Sequence, residues 1–67
     1  MIAYDKHRQW TVRLVRVEQE VDEDGPYEVA LVVRLGSPPP GVYAPGIELG
    51  EQYRTCPTFL VPLTDAR

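Results

Sequence analysis

The chain has 67 residues, 43% of them apolar and 25% charged, with a net charge of −3. That suffices for one small domain, and the composition argues against wholesale disorder. No run of roughly eighteen apolar residues is present to form a transmembrane helix, and the first ten residues lack the apolar stretch of a secretory signal, so neither is expected.

Cys56 is the one cysteine and His7 the one histidine. An internal disulfide is therefore excluded, as is a structural zinc held by Cys and His alone. Domains below roughly 70–80 residues usually need a staple, a metal or a partner subunit. Counting thus leads to an expectation of self-association, a homo-oligomer, or a bound partner. The unpaired thiol favours a reducing, cytoplasmic setting.

Charge is unevenly distributed along the chain. Residues 1–17 hold Lys6, Arg8, Arg13 and Arg16 against Asp5. Residues 18–28 hold Glu18, Glu20, Asp22, Glu23, Asp24 and Glu28 with no basic residue. The remainder is balanced. Such an acidic block is either a solvated turn or a docking surface for a partner with a basic surface.

In chain order, residues 1–9 have no clean period, although Ile2 and Tyr4 can start a short strand. Residues 11–21 are rich in β-branched residues and alternate apolar with polar, which predicts a strand. Val15, Val17 and Val21 share one parity, and Val12 and Leu14 the other. A β-bulge between Leu14 and Val15 would restore a single buried face; the alternative is a strand apolar on both faces at that point. Residues 27–35 are the clearest strand, with Tyr27, Val29, Leu31, Val33 and Leu35 on one face. The other face carries Glu28, Ala30, Val32 and Arg34. The apolar middle of that second face suits a central strand or one covered on both sides.

Between these strands, a three-residue loop, Glu23-Asp24-Gly25, sets Val21 opposite Tyr27 and Val17 opposite Leu31. It gives Gly25 the left-handed place in the loop. The alternative, an Asp24-Gly25 turn, puts Val21 opposite Glu28 and opposes the hydrophobic pattern. In the favoured register Glu20 faces Glu28 and Glu18 faces Ala30, while Arg16 faces Val32 and Arg34 faces Leu14. The ribbon then has an acidic end and a basic end.

Residues 36–46 hold four prolines and three glycines. They predict a crossover loop with turns at Pro40-Gly41 and Pro45-Gly46. Residues 47–54 alternate again, weakened at Gly50. Residues 58–63 read as a last strand, which is an edge or ends at Pro62 because Pro62 donates no ladder hydrogen bond. Asp65-Ala66-Arg67 should be loose. No helix, repeat or heptad pattern emerges. The fold class expected is all-β: a single domain over 1–67, formed as a small antiparallel sheet or a partly open barrel of four to five short strands. Its size suits an SH3-like or OB-like barrel, a statement about architecture only.

No catalytic arrangement is legible, and no catalytic, cofactor-binding or metal-binding residue is assigned. His7 would have to serve as the base of any Ser/His/Asp or Cys/His set, and nothing places it near a nucleophile. Cys56 reads as a small buried hydrophobe. Asp22, Asp24, Gly25 and Glu28 only faintly echo a calcium loop. No phosphate-cradling glycine motif occurs. The function expected is that of a non-enzymatic protein-binding module: a small regulator, inhibitor or adaptor. It would dock through the hairpin acids Glu18, Glu20, Asp22, Glu23, Asp24 and Glu28. The alternative is a nucleic-acid-binding barrel that uses Arg13, Arg16 and Arg34 with Trp10 and nearby Tyr4 or Tyr27. The acids would repel a phosphate backbone.

Overall fold

A computed structural model describes residues 1–42 and 46–63. It is all-β: five strands in one antiparallel sheet, β1 (Ile2–Asp5), β2 (Trp10–Asp22), β3 (Gly25–Arg34), β4 (Gln52–Thr55) and β5 (Leu60–Pro62). The order across the sheet is β4-β3-β2-β1-β5. The expected turn at Pro45-Gly46 and the expected loose end at Asp65-Ala66-Arg67 fall wholly or partly outside the described residues. Among those residues no helix is long and apolar enough to cross a membrane.

β4 and β5 are opposite edges of the sheet, yet only residues 56–59 join them, including a 3₁₀ turn at Pro57–Phe59. The edges of a flat five-stranded sheet lie about 19 Å apart. This connection reaches less than about 18 Å, and the 3₁₀ turn shortens it further. The sheet must therefore curl, although β4 and β5 do not pair and the barrel stays open.

Curling decides which face becomes the core. The concave face carries Ala3, Trp10, Val12, Ala30 and Val32, all at most 1% exposed, with Leu14, Ile47, Tyr53 and Leu60 packed around them. On β3 this is the face of Ala30 and Val32. The richer face of Tyr27, Val29, Leu31 and Val33 lies on the convex side, where Tyr27 is exposed and only Val33 is buried. A tightly curved inner face has little room, and small side chains fit it while the Trp10 indole fills the centre. Ala30 and Val32 are covered within the chain, so they offer no patch for a second copy.

The expected bulge is present. The β2–β3 register shifts between Leu14 and Arg16, leaving Val15 as the extra residue. Val12 and Leu14 before it, and Val17 and Val21 after it, share the concave face as a result.

The hairpin register differs from both that the sequence offered. Asp22 pairs with Gly25, Val21 with Pro26, Glu20 with Tyr27, Gln19 with Glu28, Glu18 with Val29, Val17 with Ala30 and Arg16 with Leu31. The loop is therefore the two residues Glu23 and Asp24. Asp22 shapes it by accepting the Asp24 N–H at 2.8 Å through Oδ1, a local carboxylate bond that favours a tight turn. Matching the largest apolar faces of the two strands gave the wrong pairing because the convex face is mixed: Arg16, Glu18 and Glu20 stand beside Leu31, Val29 and Tyr27. Likewise Arg34 faces Val12, not Leu14, and Arg16 faces Leu31, not Val32.

The strand read over 47–54 is shorter, at Gln52–Thr55. Gly50 sits at φ +84 in a turn, where Glu48 N–H reaches the Glu51 carboxylate at 2.8 Å. The strand read over 58–63 is an edge strand but shorter, at Leu60–Pro62, because Pro57–Phe59 form a 3₁₀ turn; it pairs with β1 through Ala3–Pro62, Tyr4–Val61 and Asp5–Leu60.

Gly25 has φ +113 with open space where a Cβ would stand, so strain alone opposes a side chain there. Gly25→Val should destabilise the fold by about 1–3 kcal/mol. Thermal unfolding beside the wild type checks this.

Candidate functional site

The most constrained polar group in the chain is Asp5, a carboxylate with 0% exposure. It ends β1, and the chain turns through residues 6–9 before β2 begins. Its Oδ1 accepts the backbone N–H groups of His7 at 2.9 Å and Arg8 at 3.2 Å. Its backbone carbonyl accepts the Gln9 N–H at 2.7 Å, with Gln9 at φ +63. Oδ2 accepts the Tyr53 hydroxyl at 2.7 Å, and that hydroxyl accepts the Trp10 indole N–H at 2.7 Å. Burial pushes the Tyr53 hydroxyl well above its ordinary range, and the Asp5 carboxylate that accepts its hydrogen bond adds to this, against the lowering effect of the Trp10 N–H.

Arg34 covers the other side of the indole, its Cζ 4.1 Å from the ring centroid. Its guanidinium is anchored to the carbonyls of Gly36 and Ile47 and, at 3.2 Å, to the Ser37 hydroxyl. Trp10 is thus enclosed between Arg34 and the edge-on ring of Tyr53. This arrangement disperses the candidate nucleic-acid set. Trp10 is buried, Arg34 lies on the concave face beneath the crossover loop, and Arg13 and Arg16 are on the convex face. Arg16 is engaged by Glu18 at 2.8 Å. Tyr4 is also convex, paired with Thr11.

The six hairpin acids are not one cluster. Glu18 and Glu20 lie on the convex face, where Arg54 bonds Glu20 at 2.7 Å and approaches Glu18 at 3.9 Å. The Arg16 hydrogen bond holds the Glu18 carboxyl below its usual range, with Arg54 assisting. Glu28 lies on the opposite face, where its carboxylate accepts the Gln19 amide N–H at 3.2 Å. Asp22 shapes the turn, and Glu23 and Asp24 form its tip. Among the described residues, Asp22, Glu23, Asp24 and Glu28 have no cationic partner.

Beside this ribbon lies an open groove of about 600 Å³, lined by Tyr27, Glu28, Val29, Arg54, Thr55, Cys56, Pro57 and Thr58. It exists because β4 stops short. The β3–β4 ladder ends at Ala30–Thr55, and the chain then turns away into Pro57–Phe59. Cys56 is exposed, not a buried hydrophobe. Its thiol lies 3.0 Å from the Thr58 hydroxyl, which lowers its pKa. His7 stacks on Phe59, its ring centroid 4.9 Å away. Among the described residues no three His, Cys, Asp or Glu side chains converge as a metal site requires.

The sequence reading missed both the Asp5–Tyr53–Trp10 network and the groove. A signal for the first exists: Asp5 opens a polar turn, and a buried Trp or Tyr needs a hydrogen-bond partner. The groove depends on where β4 ends, for which the local pattern holds no signal. Compared with protein-family models, curated proteins and solved structures, the chain matches none.

Tyr53→Phe leaves the Trp10 N–H without its acceptor and removes one donor from Asp5. The cost should be about 1–3 kcal/mol, a fall in Tm of several degrees. The raised Tyr53 pKa stabilises the protonated fold below the unfolded value near 10. That stability is lost as pH rises through the higher folded value. Wild type should therefore lose stability above about pH 10, and Tyr53→Phe should show a shallower loss. Denaturant titrations across alkaline pH measure both slopes.

Proposed function

We propose that the chain is a non-enzymatic protein-binding module, a small regulator, inhibitor or adaptor, and that the β2–β3 ribbon is its docking element. One observation carries this reading. The ribbon outruns the rest of the sheet: β2 has 13 residues and β3 has 10, against four in β1, four in β4 and three in β5. Its outer half carries exposed apolar side chains at Val17 (46%), Val21 (77%) and Tyr27 (44%). Single exposed apolar residues are ordinary, but Val17 and Val21 together on one face of a projecting ribbon, with Tyr27 on the other, favour a contact element.

Charge supports the same element. Arg16 and Arg54 offset Glu18 and Glu20, leaving Asp22, Glu23, Asp24 and Glu28 as the net negative end. A partner with a basic surface would be steered towards it.

Capture of the partner from the native host, followed by binding kinetics with the purified partner, tests the reading. Neutralising Asp22, Glu23, Asp24 and Glu28 together should slow association, and the effect should shrink with rising salt, which screens exposed charge beyond about 8 Å at physiological ionic strength. Arg13→Gln with Arg16→Gln should matter less. Greater loss with the arginine pair, or retention of an oligonucleotide by the wild type in moderate salt, would contradict the reading.

A further inference from the structure

The outer half of β3 has a free backbone edge, and its direction can be read from the inner half. Arg34 donates its N–H to the Glu51 carbonyl at 3.0 Å and accepts the Gly50 N–H at 2.9 Å, so its polar backbone groups face the β4 side. Backbone direction alternates along a strand, so Val32, Ala30, Glu28 and Pro26 face the same way. Val32 and Ala30 meet β4, whose ladder ends opposite Ala30. Beyond that point Glu28 N–H and C=O point into the groove with no backbone partner among the described residues. Cys56, Pro57 and Thr58 wall the groove on its far side.

We propose that this edge binds an extended peptide, added antiparallel to β3 in line with β4, with a basic residue flanked by two apolar ones. The inference rests on the protein-binding reading and specifies the partner's chemistry. A residue opposite Glu28 would exchange both backbone bonds with it and share its face. The Glu28 carboxylate, which has no cationic partner among the described residues, would meet a Lys or Arg there. The residues on either side would face Tyr27 and Val29, which call for apolar side chains. Strand addition of this kind draws affinity from main-chain bonds and specificity from alternate side chains. The free edge of β2 is a poorer receptor: the bulge at Val15 twists it, a common way of blunting an edge.

The test is a titration of the full chain, ¹⁵N-labelled, with three capped pentapeptides at low salt: Thr-Val-Lys-Val-Thr, its Glu counterpart, and the Lys peptide N-methylated at the central amide. The Lys peptide should shift the Glu28 amide and bind about ten-fold more tightly than either other peptide. Glu28→Lys should reverse the preference between Lys and Glu. Binding indifferent to N-methylation, or no reversal with Glu28→Lys, overturns strand addition. So does a Glu28 shift that grows with protein concentration in the absence of peptide, because a second copy would then occupy the edge. If no peptide binds while the hairpin acids still govern capture of the partner, only this inference falls. If the acids do not govern capture either, the protein-binding reading falls with it.

Discussion

A carboxylate removed from water must be fully hydrogen-bonded or it destabilises the fold. Asp5 meets that condition only when the turn after β1 closes and Tyr53, on β4, arrives beneath it. The Tyr53 hydroxyl is in turn the acceptor for the Trp10 indole. One chain of bonds thus ties β1, the start of β2 and β4 together across 48 positions of sequence. No buried side-chain polar atom among the described residues is left without a partner. For a domain with few large apolar residues and no disulfide, a fully satisfied network gives the core a single arrangement that Ala and Val packing alone would specify weakly.

The same constraint divides the molecule in two. Around Asp5 and Trp10 the sheet curls, and the short connection between β4 and β5 keeps it curled. Beyond Thr55 no described residue pairs with β3 on its open side, and β1 pairs with β2 only as far as Arg13. The ribbon is left to project with its turn fixed by Asp22. Base and arm thus follow from one fact: the outer strands are short and the central two are long.

Much of this was legible in the chain. The parity slip at Leu14 and Val15 located the bulge because a strand's side-chain period is fixed at two. Pro62 marked the edge strand because it lacks an N–H. The β class followed from β-branched alternation. The hairpin register was not legible, because a contest between two apolar faces is settled by sheet curvature, a property of the whole fold. On size alone Tyr27, Val29 and Leu31 outrank Ala30 and Val32, yet curvature selects the smaller pair. For the candidate site, the acidic block was visible but its division was not. Arg54 lies more than 30 positions from Glu20, so no local pattern shows that Glu18 and Glu20 are neutralised while Glu28 is not.

Native-state amide exchange measured residue by residue tests most directly the claim that the Asp5 network closes the base and leaves the β3 edge open. The Trp10 indole N–H and the backbone amides of Ala30 and Val32 should exchange slowly, as should those of Tyr27 and Val29, which face β2. The Glu28 amide between them should exchange fast. A Glu28 amide as protected as its two neighbours, or an indole N–H that exchanges as freely as an exposed one, would contradict the account.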